Sequence, residues 1–277
     1  MSAVLVMLLA GCGGSGDLGS DAGLATDELV GLDLARREVA PLAAGASATS
    51  GRIVFRRITT TMATTGRPLA DNLVEGDERP NATIALGEYL IATTELTQGQ
   101  WRALAGSEPW LDLLDTVGID AARLVGDALP AVGMTRAQVE AACRSGSPAG
   151  WRLTLPTAAQ WEHAALAGAS SRYSWGDLSQ DALVERHANV YLTTPSEPGL
   201  ALKPRAVGAL LPNAFGLHDM FGNVWEMTTA GTSTVHVRGG AWDQPVLQAR
   251  ASNRMQVPVD LGLPTVGVRL VLVRVAE

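Results

Sequence analysis

LPNAFGLHDMFGNVWEMTTAGTSTVHVRGGAW (211–242) decides how the rest of the chain is read. Pro212-Asn213 and Phe215-Gly216 are turn dipeptides, because proline presets φ and glycine tolerates a positive one. Gly222-Asn223 is a second tight bend, followed at once by Val224, Trp225 and Glu226. An Asn and a Glu three residues apart, with backbone carbonyls between them, make an oxygen-rich nook that suits a hard cation. Trp225 and Trp242 need a core to enter, and Gly239-Gly240 lets one backbone approach another. So many turns, with so little helical or strand period, must be held by tertiary packing.

Upstream, the pattern becomes more regular. ATIALGEYLIATTEL (82–96) is β-branched and apolar enough for one or two strands. Three helix starts share one device: Thr97…Gln100, Thr135…Gln138 and Thr157…Gln160 each fit a capping box. Behind them Trp101 with Leu104, Val139 with Ala142 and Cys143, and Trp161 with Ala164 and Ala165 fall at helical spacing. PWLDLLDTVGIDAARLVG (109–126) reads as one or two short helices. A strand starts near Ile53, and a polar loop covers 66–80. Short strands are expected near Ala188–Tyr191, Val235–Arg238, Gln248–Asn253 and Val266–Val273. Early helices, long loops and late short strands define an α+β class.

The chain has 277 residues, 47% of them apolar and 18% charged, which is globular and supplies a core. A net charge of −7 argues against a phosphate-neutralising surface, so no nucleic-acid partner is expected. Lys203 is the only lysine. Two cysteines, Cys12 and Cys143, are too few for a disulfide framework or a structural zinc site.

AVLVMLLAG (3–11) is too short to span a bilayer but suits a signal-peptide core. LAGC (9–12) resembles a bacterial lipobox, which implies a lipidated Cys12 and a membrane partner through that anchor. Gly13 rather than Asp follows the cysteine, so an outer-membrane destination is expected in a Gram-negative host. Residues 13–50 have the Gly, Ser, Ala and Asp content of a flexible tether, with a short helix at DELVGLDLARREV (27–39). The expected organisation is signal peptide and lipobox over 1–12, tether over 13–50 and one domain over 51–277.

PNAFGLHDMFGNVWEM (212–227), RGGAW (238–242), ARASNR (249–254) and GVRLV (267–271) resemble the formylglycine-generating-enzyme, or sulfatase-modifying-factor, family. ELTQGQW (95–101) and RLTLPTAAQWEHAALAG (152–168) match earlier landmarks of that family in the right order. The resemblance spans about residues 80 to 273. It implies a C-type-lectin-like fold with short antiparallel strands, a few helices and long irregular loops. It also implies a structural calcium at Gly222, Asn223, Val224 and Glu226, and a second at Asn189 and Val190. The plainer alternative keeps Asn223 as a turn residue and pairs Glu226 with an arginine.

The family's oxidase chemistry depends on a cysteine pair just downstream of the RGG-W motif, holding copper(I). Here that stretch reads DQPVLQARASNR (243–254), without a cysteine, so no copper is expected. Cys143 falls on an apolar helix face and reads as a buried, inert thiol. His163, His187, His218 and His236 show no metal-ligand spacing. Trp225, Gly239, Gly240 and Trp242 read as structural. Arg238, Arg250, Arg254 and Arg269 read as stitches from loops to carboxylates and carbonyls.

The function this favours is a lipid-anchored cell-envelope protein, non-catalytic, that binds or scaffolds an envelope protein or a glycan. A degenerate metal-dependent oxidase of the same family is one alternative. A variable protein of a diversity-generating retroelement is another; it is disfavoured because 243–266 contains one Asn and no Tyr.

Overall fold

The computed structural model describes residues 28–59, 62–66, 78, 82–117, 121–177, 179–192, 202–229 and 233–275. Cys12 and its lipobox lie outside the described residues, as do residues 13–27 of the expected tether. From Leu29 the chain departs from that expectation. β1 (Leu29–Asp33) and β2 (Glu38–Leu42) form an antiparallel hairpin, not a tether or a helix. Leu29, Val30 and Leu32 are buried, and Asp33 Oδ1 closes the turn by accepting from the Ala35 and Arg36 amides at 3.0 and 2.8 Å.

β3 (Arg52–Ile58) receives this hairpin on one edge. β4 (Met62–Thr65) and β5 (Ala82–Ala85) make a separate ribbon, and β6 (Tyr89–Ala92) pairs with the other edge of β3. Next come α1 (Gln98–Ala105), α2 (Pro109–Val117), α3 (Ala121–Leu124) and α4 (Arg136–Gly146). β7 (Trp151–Thr154), α5 (Ala158–Leu166) and α6 (Asp181–His187) follow. The C-terminal part holds β8 (Trp225–Thr228), β9 (Thr234–Arg238), β10 (Met255–Pro258), β11 (Val266–Gly267) and β12 (Val271–Arg274).

All three Thr-x-x-Gln capping boxes form, at α1, α4 and α5. At α1 the box reaches further. Gln100 Nε2 donates to the carbonyls of Thr49 and Arg52, which ties the helix start to the chain entering β3. Two expectations for late strands are corrected. Residues 246–249 form a 3-10 turn, with the strand displaced to β10, and Asn189 and Tyr191 make only isolated bridges, to Gly222 and Pro245.

The larger sheet has the order β2-β1-β3-β6-β12-β7, so the last strand of the chain fills a slot between early ones. The second sheet, β10-β9-β8-β11, contains one parallel pair, Val266 opposite Trp225 and Gly267 opposite Glu226. Alternation along the strands gives the large sheet two apolar faces. Leu90 and Leu272 enter one cluster, with Trp101, Trp110 and Trp225, while Ile91 and Val271 enter the other, with Trp161, Tyr173 and Phe221. Residues 211–229 contribute to both clusters, through Phe215, Leu217 and Phe221 on one side and Val224, Trp225 and Met227 on the other, and carry the buried polar groups of Asp219, Asn223, Glu226 and Thr228. Among the described residues no helix is long and apolar enough to cross a membrane.

Candidate functional site

The Gly222-Asn223 bend exists because both residues hold left-handed backbone, φ +82° and +61°. A side chain at Gly222 would collide with the carbonyl of Asn189, so the position requires glycine. Asn223 accepts that strain and uses every polar atom. Its amide donates to Asn189 O at 2.7 Å, and its carbonyl accepts from Trp242 N at 3.0 Å. Its Oδ1 accepts from Asn189 Nδ2 at 3.0 Å and from the Arg205 amide at 2.8 Å. Its Nδ2 donates to Glu95 Oε2 at 2.6 Å, and the Val224 amide reaches Glu95 Oε1 at 3.1 Å.

On β8, Glu226 turns to a different set of partners. Arg269 donates to it from Nε and from Nη2, the latter at 2.8 Å, and Trp161 Nε1 donates at 2.6 Å. Arg269 also donates from Nη1 to Ala92 O at 2.9 Å and from Nη2 to His218 O at 2.7 Å. Asn223 and Glu226 therefore face separate donor sets. The oxygens that a calcium would use here, Asn223 Oδ1 and both Glu226 oxygens, already accept from N–H groups, and the Asn223 and Asn189 carbonyls are engaged as well. In this arrangement a cation would have to displace N–H donors from the Asn223 and Glu226 oxygens. Val190 packs its side chain into an apolar cluster. Among the described residues no group of three His, Cys, Asp or Glu is placed to hold a metal.

The electrostatics of this interior are lopsided. Burial raises Glu95 well above the carboxylate range, and the neighbouring Asp219 and Glu226 raise it further. Burial also raises Glu226 and Asp219, against the pull of Arg269 on both and the Gly208 amide on Asp219. Glu95, in the ELTQGQW stretch, gave no sign of this role. Its partners are 128 residues away in sequence.

A second charged cluster borders a cavity of about 380 Å³. Arg238 pairs with Glu162 at 3.2 Å, both 3% exposed, and donates to Ala251 O at 2.8 Å. Arg250 pairs with Glu78, which also accepts from Ser252, while Arg254 lines the cavity. The RGG bend sits close against its neighbours. A Cβ on Gly239 would approach Trp161 at 3.0 Å, and one on Gly240 would meet Ala249 at 2.9 Å. Trp242 is partly buried against the first cluster.

Beyond that bend, Asp243–Gln248 run past Tyr191 and Tyr173, whose hydroxyl donates to Val246 O at 3.0 Å. No sulfur is present there. Cys143 is buried on α4 in the other cluster, and burial pushes its thiol up to about 12.

The fold and this buried scaffold define an α+β, C-type-lectin-like domain of the sulfatase-modifying type. A family model, the sulfatase-modifying factor enzyme 1-like domain, matches residues 51–274, and the chain belongs to that family. A formylglycine-generating enzyme of Mycobacterium tuberculosis is 39% identical over 80 residues, 27% of this chain and 26% of that one. The inactive C-alpha-formylglycine-generating enzyme 2 of Mus musculus is 32% identical over 128 residues, 43% of this chain and 41% of the relative. The matched stretches thus span less than half of these curated relatives. Among solved structures, Treponema denticola variable protein 1 superposes with a TM-score of 0.64 at 21% identity, over 82% of this chain and 98% of that one. PvdO from Pseudomonas aeruginosa gives 0.61 at 21%, over 81% and 95%. At that identity the likeness is one of fold.

Proposed function

We propose that this chain is a non-catalytic member of the family, held at the cell envelope by lipid on Cys12, where its domain binds or scaffolds an envelope protein or a glycan. The observation that carries the reading is the stretch after RGGAW. Asp243–Gln248 present carboxylate, amide and apolar groups, and Cys143 is buried in a different cluster. Copper(I) is soft and needs converging thiolates, so neither the oxygens of Asp243 and Gln244 nor one buried thiol replaces the pair. The mouse relative named as inactive supports a role without turnover. The anchor reading rests on LAGC and the apolar run before it; with Gly13 next, the destination in a Gram-negative host is the outer membrane.

The test incubates the purified protein, with copper supplied, with a peptide carrying a sulfatase cysteine motif. Mass spectrometry is expected to show the cysteine intact. Conversion to formylglycine that disappears in Cys143→Ser would overturn the reading. The anchor is tested separately: a fatty-acid probe should label the wild type and not Cys12→Ala, and equal labelling would remove it.

A further inference from the structure

A cleft of about 220 Å³ lies beside β7, the outer strand of the larger sheet. One part of its lining comes from the second half of α4 and its cap, between Glu140 and Ser147. The rest comes from β7, from Leu155 just beyond it, and from Thr229, the residue after β8. None of these residues belongs to the Asn223–Glu226–Arg269 scaffold, to the Arg238–Glu162 cluster or to Asp243–Gln248.

The elements around the cleft are fixed to one another. Ser147 Oγ accepts from the Leu153 amide at 3.0 Å and donates to Cys143 O at 2.8 Å, which ties the end of α4 to β7. The Thr229 amide donates to Pro156 O at 2.8 Å, so the end of β8 is held against the stretch that follows β7. A frame preformed in this way spares a ligand the cost of ordering it.

Four polar side chains at this cleft have no partner among the described residues. Arg144 and Arg152 are exposed, and neither makes an ion pair or a side-chain hydrogen bond. The hydroxyls of Thr154 and Thr229 are likewise uncommitted. Arg144 stands in the last turn of α4, where a cation complements the helix dipole; Arg152, on a strand, has no such role. The carboxylate in the lining, Glu140, is already taken, because Arg136 Nε donates to it at 2.7 Å from one turn earlier on the helix. Two guanidiniums therefore share the cleft with no carboxylate of their own. Their forked N–H donors match the oxygens of an oxyanion, and the two hydroxyls add donors beside them. A phosphate or sulfate group, with three terminal oxygens and up to two charges, uses this set more fully than a carboxylate does. The volume is below the roughly 300–1,000 Å³ of drug-sized sites, so the cleft takes the anionic group and little more.

We propose that this cleft is a site for a tetrahedral oxyanion, the phosphate or sulfate group of a small molecule, with Arg144 and Arg152 receiving its charge and Thr154 and Thr229 its remaining oxygens. The site goes beyond the role proposed above and does not depend on it. It uses neither Cys12 nor Asp243–Gln248, and anion titration and the peptide assay can fail separately.

The experiment is isothermal titration calorimetry on the full chain in detergent at low ionic strength, with inorganic phosphate, sulfate and acetate as probes. Phosphate, sulfate or both should bind at least tenfold more tightly than acetate, and the tighter of the two identifies the group. The double variant Arg144→Gln, Arg152→Gln should weaken that binding at least tenfold. Both side chains are exposed and unpaired, so its melting temperature without anion should match the wild type. Thr229→Glu provides an independent variant: from an exposed position it supplies the arginines with a carboxylate of the chain's own, and it should abolish binding. No heat from phosphate or sulfate at millimolar concentration, equal affinity for acetate, or unchanged binding in either folded variant would each overturn the proposal.

Discussion

Glu226 and Arg269 meet at 2.8 Å with both side chains almost fully shielded from solvent, Arg269 lying two residues past Gly267, the parallel-bridge partner of Glu226. The guanidinium also holds the carbonyls of Ala92 and His218, so a single side chain joins β8, the end of β6 and the 211–221 loop to the last strands. A buried pair is costly to assemble from water, but removing one partner leaves an uncompensated charge.

Arg269→Met should therefore destabilise the domain by about 3–5 kcal/mol in urea unfolding. Glu226→Leu combined with Arg269→Met should lose less than the two single variants summed, because neither charge is then stranded. Full additivity would mean that the pair does not act as a unit.

Asn223 offers a sharper electrostatic test. Its Nδ2 donates to Glu95 at 2.6 Å, so Asn223→Asp sets a carboxylate against a buried carboxylate at the same place. Like charges at that distance force one of them to hold a proton. Asn223→Asp should be strongly destabilised near pH 8 and regain much of its stability near pH 5, whereas Asn223→Ala should be destabilised by a similar amount at both. Parallel pH profiles for the two variants would contradict the contact.

The wild type should show its own pH slope. Glu95, Asp219, Glu226 and Glu162 are all raised, chiefly by burial, so the folded state binds more protons than the unfolded one above the usual carboxylate range. Stability from these groups is present at low pH and is lost as pH rises from that range toward their folded values. His163 and His187 are lowered by burial and act the other way, removing stability as pH falls through the ordinary histidine range. The melting temperature should accordingly peak on the mildly acid side of neutrality. Glu95→Gln replaces one of two acceptors by a donor, which costs a hydrogen bond at every pH, yet it should make the decline toward alkaline pH shallower. An unchanged decline would show that Glu95 stays ionised throughout and contributes nothing to the slope.

Some of this was legible in the sequence, and the difference is one of range. The Thr-x-x-Gln boxes are local devices whose partners lie three residues apart, and all three helices start where they predict. The Gly222-Asn223 bend was legible because only a few residue types accept positive φ. The hairpin at Leu29–Leu42 was not. Leu29, Leu32 and Leu34 suit a helical period as well as a strand, and the partners that decide the matter lie at Arg52–Arg56. Glu95 and Glu78 were missed for the same reason. Their functional groups are defined by contacts 128 and 172 residues away, and a lone carboxylate in a loop carries no pattern.

The Asn223–Glu226 nook yields the last prediction. By residue type it suits a hard cation, since Asn, Glu and intervening carbonyls are oxygen ligands. In the structure those oxygens accept from Asn189, Arg205, Trp161, Trp242 and Arg269. The charge of Glu226 is balanced by a guanidinium that a calcium ion would have to displace. An ion that binds only the native state at a hundredfold excess over its dissociation constant adds about 2.7 kcal/mol, which is several degrees of melting temperature for a domain of this size. The expected outcome is that neither a chelator nor millimolar calcium shifts the wild-type transition, while Glu226→Gln lowers it equally in both conditions. A chelator-induced drop that calcium reverses, and that Glu226→Gln no longer shows, would mean that Arg269 yields its place to the ion. The nook would then be the calcium site its residue types describe.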